Sequence, residues 1–141
     1  MIKITVMGIP IAKGRPRFVV RGGFARAYTP AKTRNYADLI ASEAMVVMAG
    51  RKPLEGALKV SVVAFFPVTK STNKTNRALM LSGQMHHIKK PDCDNIGKQI
   101  DALNGIAWLD DSQIVDMRIE KVYSEEPRLL ITIENYELKK D

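Results

Sequence analysis

Residues 57–66 read Ala57-Leu58-Lys59-Val60-Ser61-Val62-Val63-Ala64-Phe65-Phe66, and Pro67 follows them. Every second position of this stretch from Leu58 to Phe66 is apolar. Such alternation is typical of a β-strand that buries one face, and a proline ends a strand because it has no N–H to donate to a sheet. The stretch therefore predicts a strand that packs one face against the core.

On both sides of this strand the chain alternates between strand and helix patterns. Further strands are predicted near residues 2–9, 113–123 and 128–136, and helices near 30–49, 76–81 and 94–104. The first helix begins at Thr29-Pro30, a typical cap and first position, and stops at Gly50. The last two strands are joined by residues 124–127 and pair most simply as an antiparallel hairpin.

A second hairpin is predicted near the N-terminus, where residues 17–20 and 24–28 flank Arg21-Gly22-Gly23. Glycine supplies the positive φ angles that a tight turn needs, so the tip of this hairpin is basic. We expect one α+β domain over residues 1–141. It has a small mixed β-sheet with two main helices packed on one face, plus the basic N-terminal hairpin.

The composition places the chain among ordinary soluble proteins. Of its 141 residues, 45% are hydrophobic and 26% are charged, and no apolar run approaches the ~20 residues that span a bilayer. The single cysteine cannot form an internal disulfide. The first residues alternate like a strand and lack the features of a signal peptide. We expect a cytoplasmic protein that does not contact a membrane.

The charges are distributed unevenly along the chain. Residues 1–90 carry 16 Lys and Arg against three acids, whereas residues 91–141 carry six against twelve. A basic field of this kind attracts a polyanion. Any single lysine also fits a merely soluble surface, but Lys13-Gly14-Arg15-Pro16-Arg17 combines a loop with two arginines that can grip phosphates. The predicted DNA contacts are Lys13, Arg15, Arg17, Arg21, Arg26, Lys32, Lys89 and Lys90.

Carboxylates are concentrated in the segment that begins Lys89-Lys90-Pro91-Asp92-Cys93-Asp94 and recur at Asp110-Asp111. Clustered carboxylates repel one another unless a cation lies between them, and oxygen ligands suit Mg²⁺, Mn²⁺ or Ca²⁺. Pro91 favours an extended chain into Asp92, and an extended chain would turn Asp92 and Asp94 to one side. The segment does not match a calcium-binding EF-hand loop, because two of the ligand positions of such a loop would be occupied by Ile96 and Leu103.

Simpler interpretations compete with the metal site. Asp92 or Asp94 can cap the following helix, Asp94 and Lys98 can form an ordinary i,i+4 ion pair, and Asp101 extends the same solvated face. Adjacent histidines at 86–87 are poor zinc ligands and fit a loop or a phosphate contact better. Trp108 is expected in the core, and Cys93 is expected to be a small buried residue rather than a nucleophile.

Three longer motifs resemble the signature of the RusA family of Holliday-junction resolvases, especially its phage and prophage members. They are Lys89-Lys90-Pro91-Asp92-Cys93-Asp94-Asn95-Ile96-Gly97-Lys98, then Asp101-Ala102-Leu103-Asn104-Gly105, and Trp108-Leu109-Asp110-Asp111-Ser112-Gln113. The N-terminal Gly8-Ile9-Pro10, Lys13-Gly14-Arg15-Pro16-Arg17 and Tyr28-Thr29-Pro30-Ala31-Lys32-Thr33 are also similar to the pattern of that family. The likeness covers nearly the whole chain and differs in spacing within residues 104–109.

This resemblance implies a homodimeric, Mg²⁺-dependent endonuclease that recognises four-way DNA junctions and nicks two opposing strands, with Mn²⁺ as a possible substitute. It implies that Asp92, Asp94 and Asp111 are catalytic carboxylates that hold the metal, and that Lys98 is the essential lysine that follows them. The resemblance leaves open whether Asp110 also belongs to this set of carboxylates. Recombination, repair and phage DNA processing are all compatible with the resemblance.

The residues support phosphodiester hydrolysis without the family name. Metal ions held by carboxylates can supply a nucleophile and stabilise charge on the phosphate and the leaving group, and Lys98 would either neutralise charge or orient water. The alternative from another class is a non-catalytic basic DNA-binding protein whose acids only cap helices. A third interpretation, a metal-dependent activity on nucleotides, does not account for the extended basic surface.

Overall fold

The computed structural model describes residues 1–13, 17–28 and 31–137, and for residues 17–21, 24–28 and 32–33 it describes the backbone alone. The strands are β1 Ile2–Met7, β2 Arg17–Arg21, β3 Phe24–Tyr28, β4 Leu58–Phe66, β5 Ile114–Tyr123 and β6 Arg128–Asn135. The helices are α1 Ala31–Met48, α2 Lys74–Leu81 and α3 Cys93–Gly97, with 3₁₀ turns at Lys98–Leu103 and Asp111–Gln113. This is the expected α+β class.

The main sheet has four strands in the order β1-β6-β4-β5 within the described part of the chain. β6 runs antiparallel to both β1 and β4, whereas β5 runs parallel to β4. β2 and β3 pair antiparallel with each other in a separate ribbon. The sheet is therefore mixed, as the sequence predicts.

One face of this sheet carries the core. The alternate residues of β4 that the sequence places on one side are all buried, and Leu129, Ile131 and Ile133 of β6 lie beside them. Tyr36, Ile40, Ala44 and Met48 of α1 and Ile96, Ile100 and Leu103 of the α3 region belong to the same buried cluster. Trp108 is fully buried in it, as predicted.

The prediction that residues 113–123 and 128–136 form a hairpin is wrong. β4 lies between β5 and β6 and bonds to both, while Ser124 donates its N–H to the carbonyl of Phe66 as the chain passes the end of β4. β4 is apolar at every inward position and takes a central place, whereas β5 carries Asp116, Arg118 and Glu120 and suits an edge. Adjacency in sequence is a weaker constraint than burial of the most apolar strand.

The helix predicted over residues 94–104 is divided in two. α3 begins at Cys93, and after Gly97 the chain tightens into the 3₁₀ turn that ends at Leu103. The tighter winding turns Gln99 inward together with Ile100, and Gln99 is 1% exposed. The predicted start of α1 at Thr29-Pro30 lies outside the described residues. The helices predicted near 30–49 and 76–81 are present as α1 and α2 in the described part of the chain, so the difference lies in the third.

Candidate active site

Asp92 and Asp94 lie at the start of α3. Asp92 occupies the N-cap position with extended backbone (φ −72°, ψ 150°), but its side chain accepts no capping hydrogen bond from the described residues. Asp94 is already in the first turn of the helix. The chain is extended at Asp92 as predicted, but the helix starts at Cys93, one residue earlier than expected, so Asp94 lies in the helix and not in the extended stretch. Both residues are exposed, so their carboxylates are accessible to a ligand.

Lys98 lies one helical turn after Asp94. Its Nζ atom is 3.4 Å from Asp94 Oδ2, which is the i,i+4 pairing that the sequence predicts. The two side chains are 57% and 80% exposed, and ion pairs this exposed contribute about 0–1 kcal/mol to stability. Since the pair is weak, a competing cation or phosphate can separate its two members at little cost.

Asp110 and Asp111 have different surroundings although they are neighbours. Asp110 caps the short 3₁₀ turn, and its Oδ2 accepts a hydrogen bond from Ser112 N at 3.0 Å. The hydrogen bonds from Ser112 hold the pKa of the Asp110 carboxyl below its usual value. Asp111 is exposed at the first position of the turn. Asp110 is thus occupied as a cap, while Asp111 presents its carboxylate.

An open pocket of about 420 Å³ brings several of these side chains together. Its polar lining consists of Asp94, Lys98, Asp101, Asp111 and Lys13, and its apolar lining of Ile100, Ile114, Met117 and Ile119, with Gly97 between them. Asp94 and Asp111 are thus united although a buried segment separates them in sequence. Asp92 is not among the residues that line this pocket.

Lys13 reaches this pocket because the segment before it is fixed to the α3 region. Gln99 Nε2 donates to the carbonyl of Ile11 at 2.9 Å, and Lys13 N donates to the carbonyl of Asn95 at 3.1 Å. Lys13 Nζ pairs with the Asp101 carboxylate. Asp101 was expected to be a solvated residue with no special partner, and that expectation is wrong because a contact between residues 88 positions apart is not visible in local spacing.

The remaining predicted DNA contacts are only partly described. The side chains of Lys89 and Lys90 are exposed just before Asp92. Arg15 and the side chains of Arg17, Arg21, Arg26 and Lys32 lie outside the described residues.

The loop before the acidic segment is held by hydrogen bonds from a side chain of β5. Lys121 Nζ donates to the carbonyls of Lys89 at 2.8 Å and Pro91 at 3.0 Å. His87 is 9% exposed, and its ring stacks on Phe66 with centroids 4.0 Å apart. His87 thus lies in a loop, which is one of the two alternatives predicted for it, and its burial against Phe66 argues against the other, a phosphate contact. Burial, followed by the charge of Lys121, lowers the pKa of His87.

The donor set fits a hard divalent metal in its chemistry, since exposed carboxylates are the ligands that Mg²⁺ and Mn²⁺ prefer. Among residues 1–13, 17–28 and 31–137, no three His, Cys, Asp or Glu side chains are gathered closely enough to hold an ion together. Asp94 and Asp111 line the same open pocket. Their side chains would have to move closer together to bind one metal ion.

Sequence reasoning assigned no role to Gln113 or Lys121. Gln113 stands in the motif Asp110-Asp111-Ser112-Gln113, so its signal was present but carried no chemistry of its own. Lys121 is one of several basic residues on a strand, and only the folded chain shows that it faces a loop. The side chains of both residues form hydrogen bonds with backbone groups next to a carboxylate, to Asp110 N for Gln113 and to the Pro91 carbonyl for Lys121.

Carboxylates and lysines around an open pocket are residue types that can bind a metal ion and a phosphate group. The family model described as endodeoxyribonuclease RusA matches residues 8–134. The uncharacterized protein YqaN of Bacillus subtilis (strain 168) is 36% identical over 138 residues, which cover 94% of each chain. The chain belongs to the RusA endodeoxyribonuclease family, and this membership implies an endonuclease that acts on Holliday junctions. No helix in the described ranges is long and apolar enough to cross a membrane.

Proposed function

We propose that this protein is a metal-dependent endonuclease that resolves four-way DNA junctions by paired symmetric nicks. The observation that supports this most directly is that Asp94 and Asp111, which come from separate parts of the chain, line one pocket together with two lysines. Family membership supplies the substrate class. The whole chain would act as one endonuclease domain, and its cytoplasmic location stays a prediction.

Asp92, Asp94 and Asp111 would hold Mg²⁺, or Mn²⁺ in its place. When bound, such an ion lowers the pKa of water and stabilises negative charge on the phosphate oxygens and the leaving group. Asp92 would join the other two by rotation of its exposed side chain, since no capping hydrogen bond from the described residues restrains it. Asp110 would remain the cap of its turn and leave metal binding to Asp111.

Lys98 would neutralise charge on the scissile phosphate. In the free protein its ammonium group pairs with Asp94. If Asp94 held the metal, Lys98 would be released from this pair, and its ammonium group at the pocket would be available to a phosphate oxygen. A fixed positive charge next to the reacting phosphate stabilises the transition state more than the substrate.

DNA would be bound mainly through its backbone. The proposed contacts are Lys13, Arg15, Arg17, Arg21, Arg26, Lys32, Lys89 and Lys90. Lysine and arginine contacts to phosphates release counterions, so affinity should fall steeply as the salt concentration rises. A homodimer with two-fold symmetry would match the symmetry of the junction and place two pockets for paired cuts.

The test is a cleavage assay with a labelled four-way junction and a linear duplex of the same sequence, in Mg²⁺ or in EDTA. The native protein is compared with Asp92→Asn, Asp94→Asn and Asp111→Asn. Asp116→Asn is the matched control, because Asp116 lies on β5 opposite Lys59 and thus on the sheet face away from the core. We expect Mg²⁺-dependent nicks at the junction for the native and control proteins only.

Two outcomes would contradict the proposal. Metal-independent binding of the junction without any cleavage would identify a non-catalytic DNA-binding protein. Equal cutting of junction and linear duplex would identify a general nuclease. Cross-linking of the protein on and off the junction would report separately on the dimer.

A further inference from the structure

The side-chain amide of Gln113 makes four hydrogen bonds. Its Oε1 atom accepts from Leu109 N at 2.9 Å and from Asp110 N at 3.1 Å. Its Nε2 atom donates to the carbonyls of Leu54 at 2.9 Å and Gly56 at 3.0 Å. Gln113 is only partly buried, and the residue itself ends the 3₁₀ turn that begins at Asp111.

These four bonds join two segments that are more than fifty residues apart. One is the turn that carries Asp110 and Asp111, and the other is the segment that leads into β4. Leu54 is also bonded through its N–H to the carbonyl of Ala107 at 2.8 Å, so the same two segments are in register just before the turn. The hydrogen bonds of Gln113 continue the contact between these two segments as far as the acidic pair, Asp110 and Asp111.

Glutamine is the side chain that suits this position chemically. The site needs an oxygen that accepts two N–H groups and a nitrogen that donates to two carbonyls from the same short group. Glutamate keeps the acceptor but has no donor when ionised, and methionine keeps the length but neither function. The Asp110 cap could persist with either residue, but the link to Leu54 and Gly56 could not.

We propose that Gln113 is a positioning residue that fixes the Asp111 carboxylate at the pocket. The inference rests on the proposed function, because it assumes that Asp111 binds the metal. Asp111 is exposed, and the peptide groups on its N-terminal side are held by the Gln113 side chain. Without that amide the acidic turn loses its side-chain link to Leu54 and Gly56, although Ala107 and β5 still hold its two ends. The Asp111 carboxylate then samples positions outside the pocket.

The experiment compares native protein with Gln113→Glu, Gln113→Met and Asp111→Asn. Gln84→Glu is the matched control, since Gln84 is exposed and bonds only locally to Ser82 Oγ at 3.1 Å. Mn²⁺ affinity is measured by electron paramagnetic resonance, and single-turnover cleavage and junction binding in EDTA are measured on the same samples. Circular dichroism and urea unfolding report the folded fraction.

We expect both Gln113 variants to weaken Mn²⁺ binding and slow cleavage by about 10- to 100-fold per folded molecule, which is the usual effect of losing a group that orients a metal ligand. Junction binding in EDTA should change less than about twofold. A purely structural role would lower the folded fraction and leave the remaining molecules with native affinity and rate.

The inference is overturned if folded Gln113→Glu keeps native Mn²⁺ affinity and native cleavage. If native protein binds Mn²⁺ but cuts nothing, the proposed function fails and the Mn²⁺ titration alone decides the role of Gln113. If Asp111→Asn leaves Mn²⁺ binding unchanged, the inference is wrong because there is then no ligand for Gln113 to position, while the proposed function is still decided by cleavage of the junction.

Discussion

Gly97→Ala tests how closely α3 packs on β5 beneath the pocket. Gly97 has helical backbone (φ −60°, ψ −32°), so an alanine there is not strained. A Cβ atom built on it would lie 2.5 Å from Ile119 Cδ1 and 3.5 Å from Met117 Cε. Since ordinary contacts of a Cβ atom begin at 3.4 Å, α3 or the Ile119 side chain has to move.

The size of the effect follows from two opposing contributions. Overpacking of this kind costs about 1–3 kcal/mol, whereas replacing glycine by alanine in a helix gains about 1 kcal/mol. Gly97→Ala should therefore lower the free energy of unfolding by about 0–2 kcal/mol. In an Ile119→Val background the clashing methyl is gone, and the same change should raise it by about 0.5–1 kcal/mol.

The assay is urea unfolding of the native protein, both single variants and the double variant. The single tryptophan, Trp108, is fully buried and serves as the fluorescent probe. The four values form a double-mutant cycle, in which we expect a coupling energy of about 1–3 kcal/mol. Cleavage should fall in Gly97→Ala and recover in the double variant. Equal effects of Gly97→Ala in both backgrounds would refute the proposed contact.

Three more changes test other contacts. Lys121→Met should lower the free energy of unfolding in urea by about 1–2 kcal/mol, because two carbonyls lose their shared donor; Lys121→Arg should retain most of it. Burial lowers the pKa of His87 below 6.5, so the unfolded chain takes up the proton before the folded protein does as the pH falls. The free energy of unfolding should therefore be at its full value above pH 6.5 and decrease as the pH drops through the lower folded pKa. His87→Phe should remove that part of the pH dependence. Asp101→Asn should change stability by less than about 1 kcal/mol, yet tighten junction binding in EDTA a few-fold at low salt, because Lys13 loses its partner.

Each of these has an outcome that contradicts it. Native stability of Lys121→Met would mean that the loop before Asp92 is held by other contacts. An unchanged pH profile for His87→Phe would show that the ring is protonated as easily as in the unfolded chain. Weaker junction binding by Asp101→Asn would mean that the carboxylate holds Lys13 where DNA needs it.

Local patterns in the sequence predict the elements but not their partners. Alternation over Leu58–Phe66 and the apolar positions of α1 predict β4 and the helix, because side-chain periodicity reports directly on burial. Which strand lies next to β4 depends on competition among strands, and this competition excluded the simple hairpin. The division after Gly97 was missed because Gln99 bonds to Ile11, which no window of helical length includes.

The candidate site was predictable to the same extent. The motif proposes carboxylates and a lysine as the site because these residue types bind metal and phosphate, and the fold places Asp94, Lys98 and Asp111 at one pocket. It does not predict the pairing of Lys13 with Asp101 or the amide network of Gln113, because these contacts join segments separated by 88 and by more than fifty residues. Only the fold decides which of two adjacent acids, Asp110 or Asp111, becomes a cap.

The position of β5 at the edge of the sheet bears on the stability of the pocket. An edge strand is bonded to a neighbour on one side only, so it opens to solvent more readily than the strands inside the sheet. Asp111 immediately precedes this strand, and Ile114, Met117 and Ile119 of the strand line the pocket. Fraying of β5 would disrupt the pocket while β1, β6 and β4 stay assembled. Hydrogen exchange of the backbone amides along β5 would therefore report loss of the pocket better than a global melting curve does.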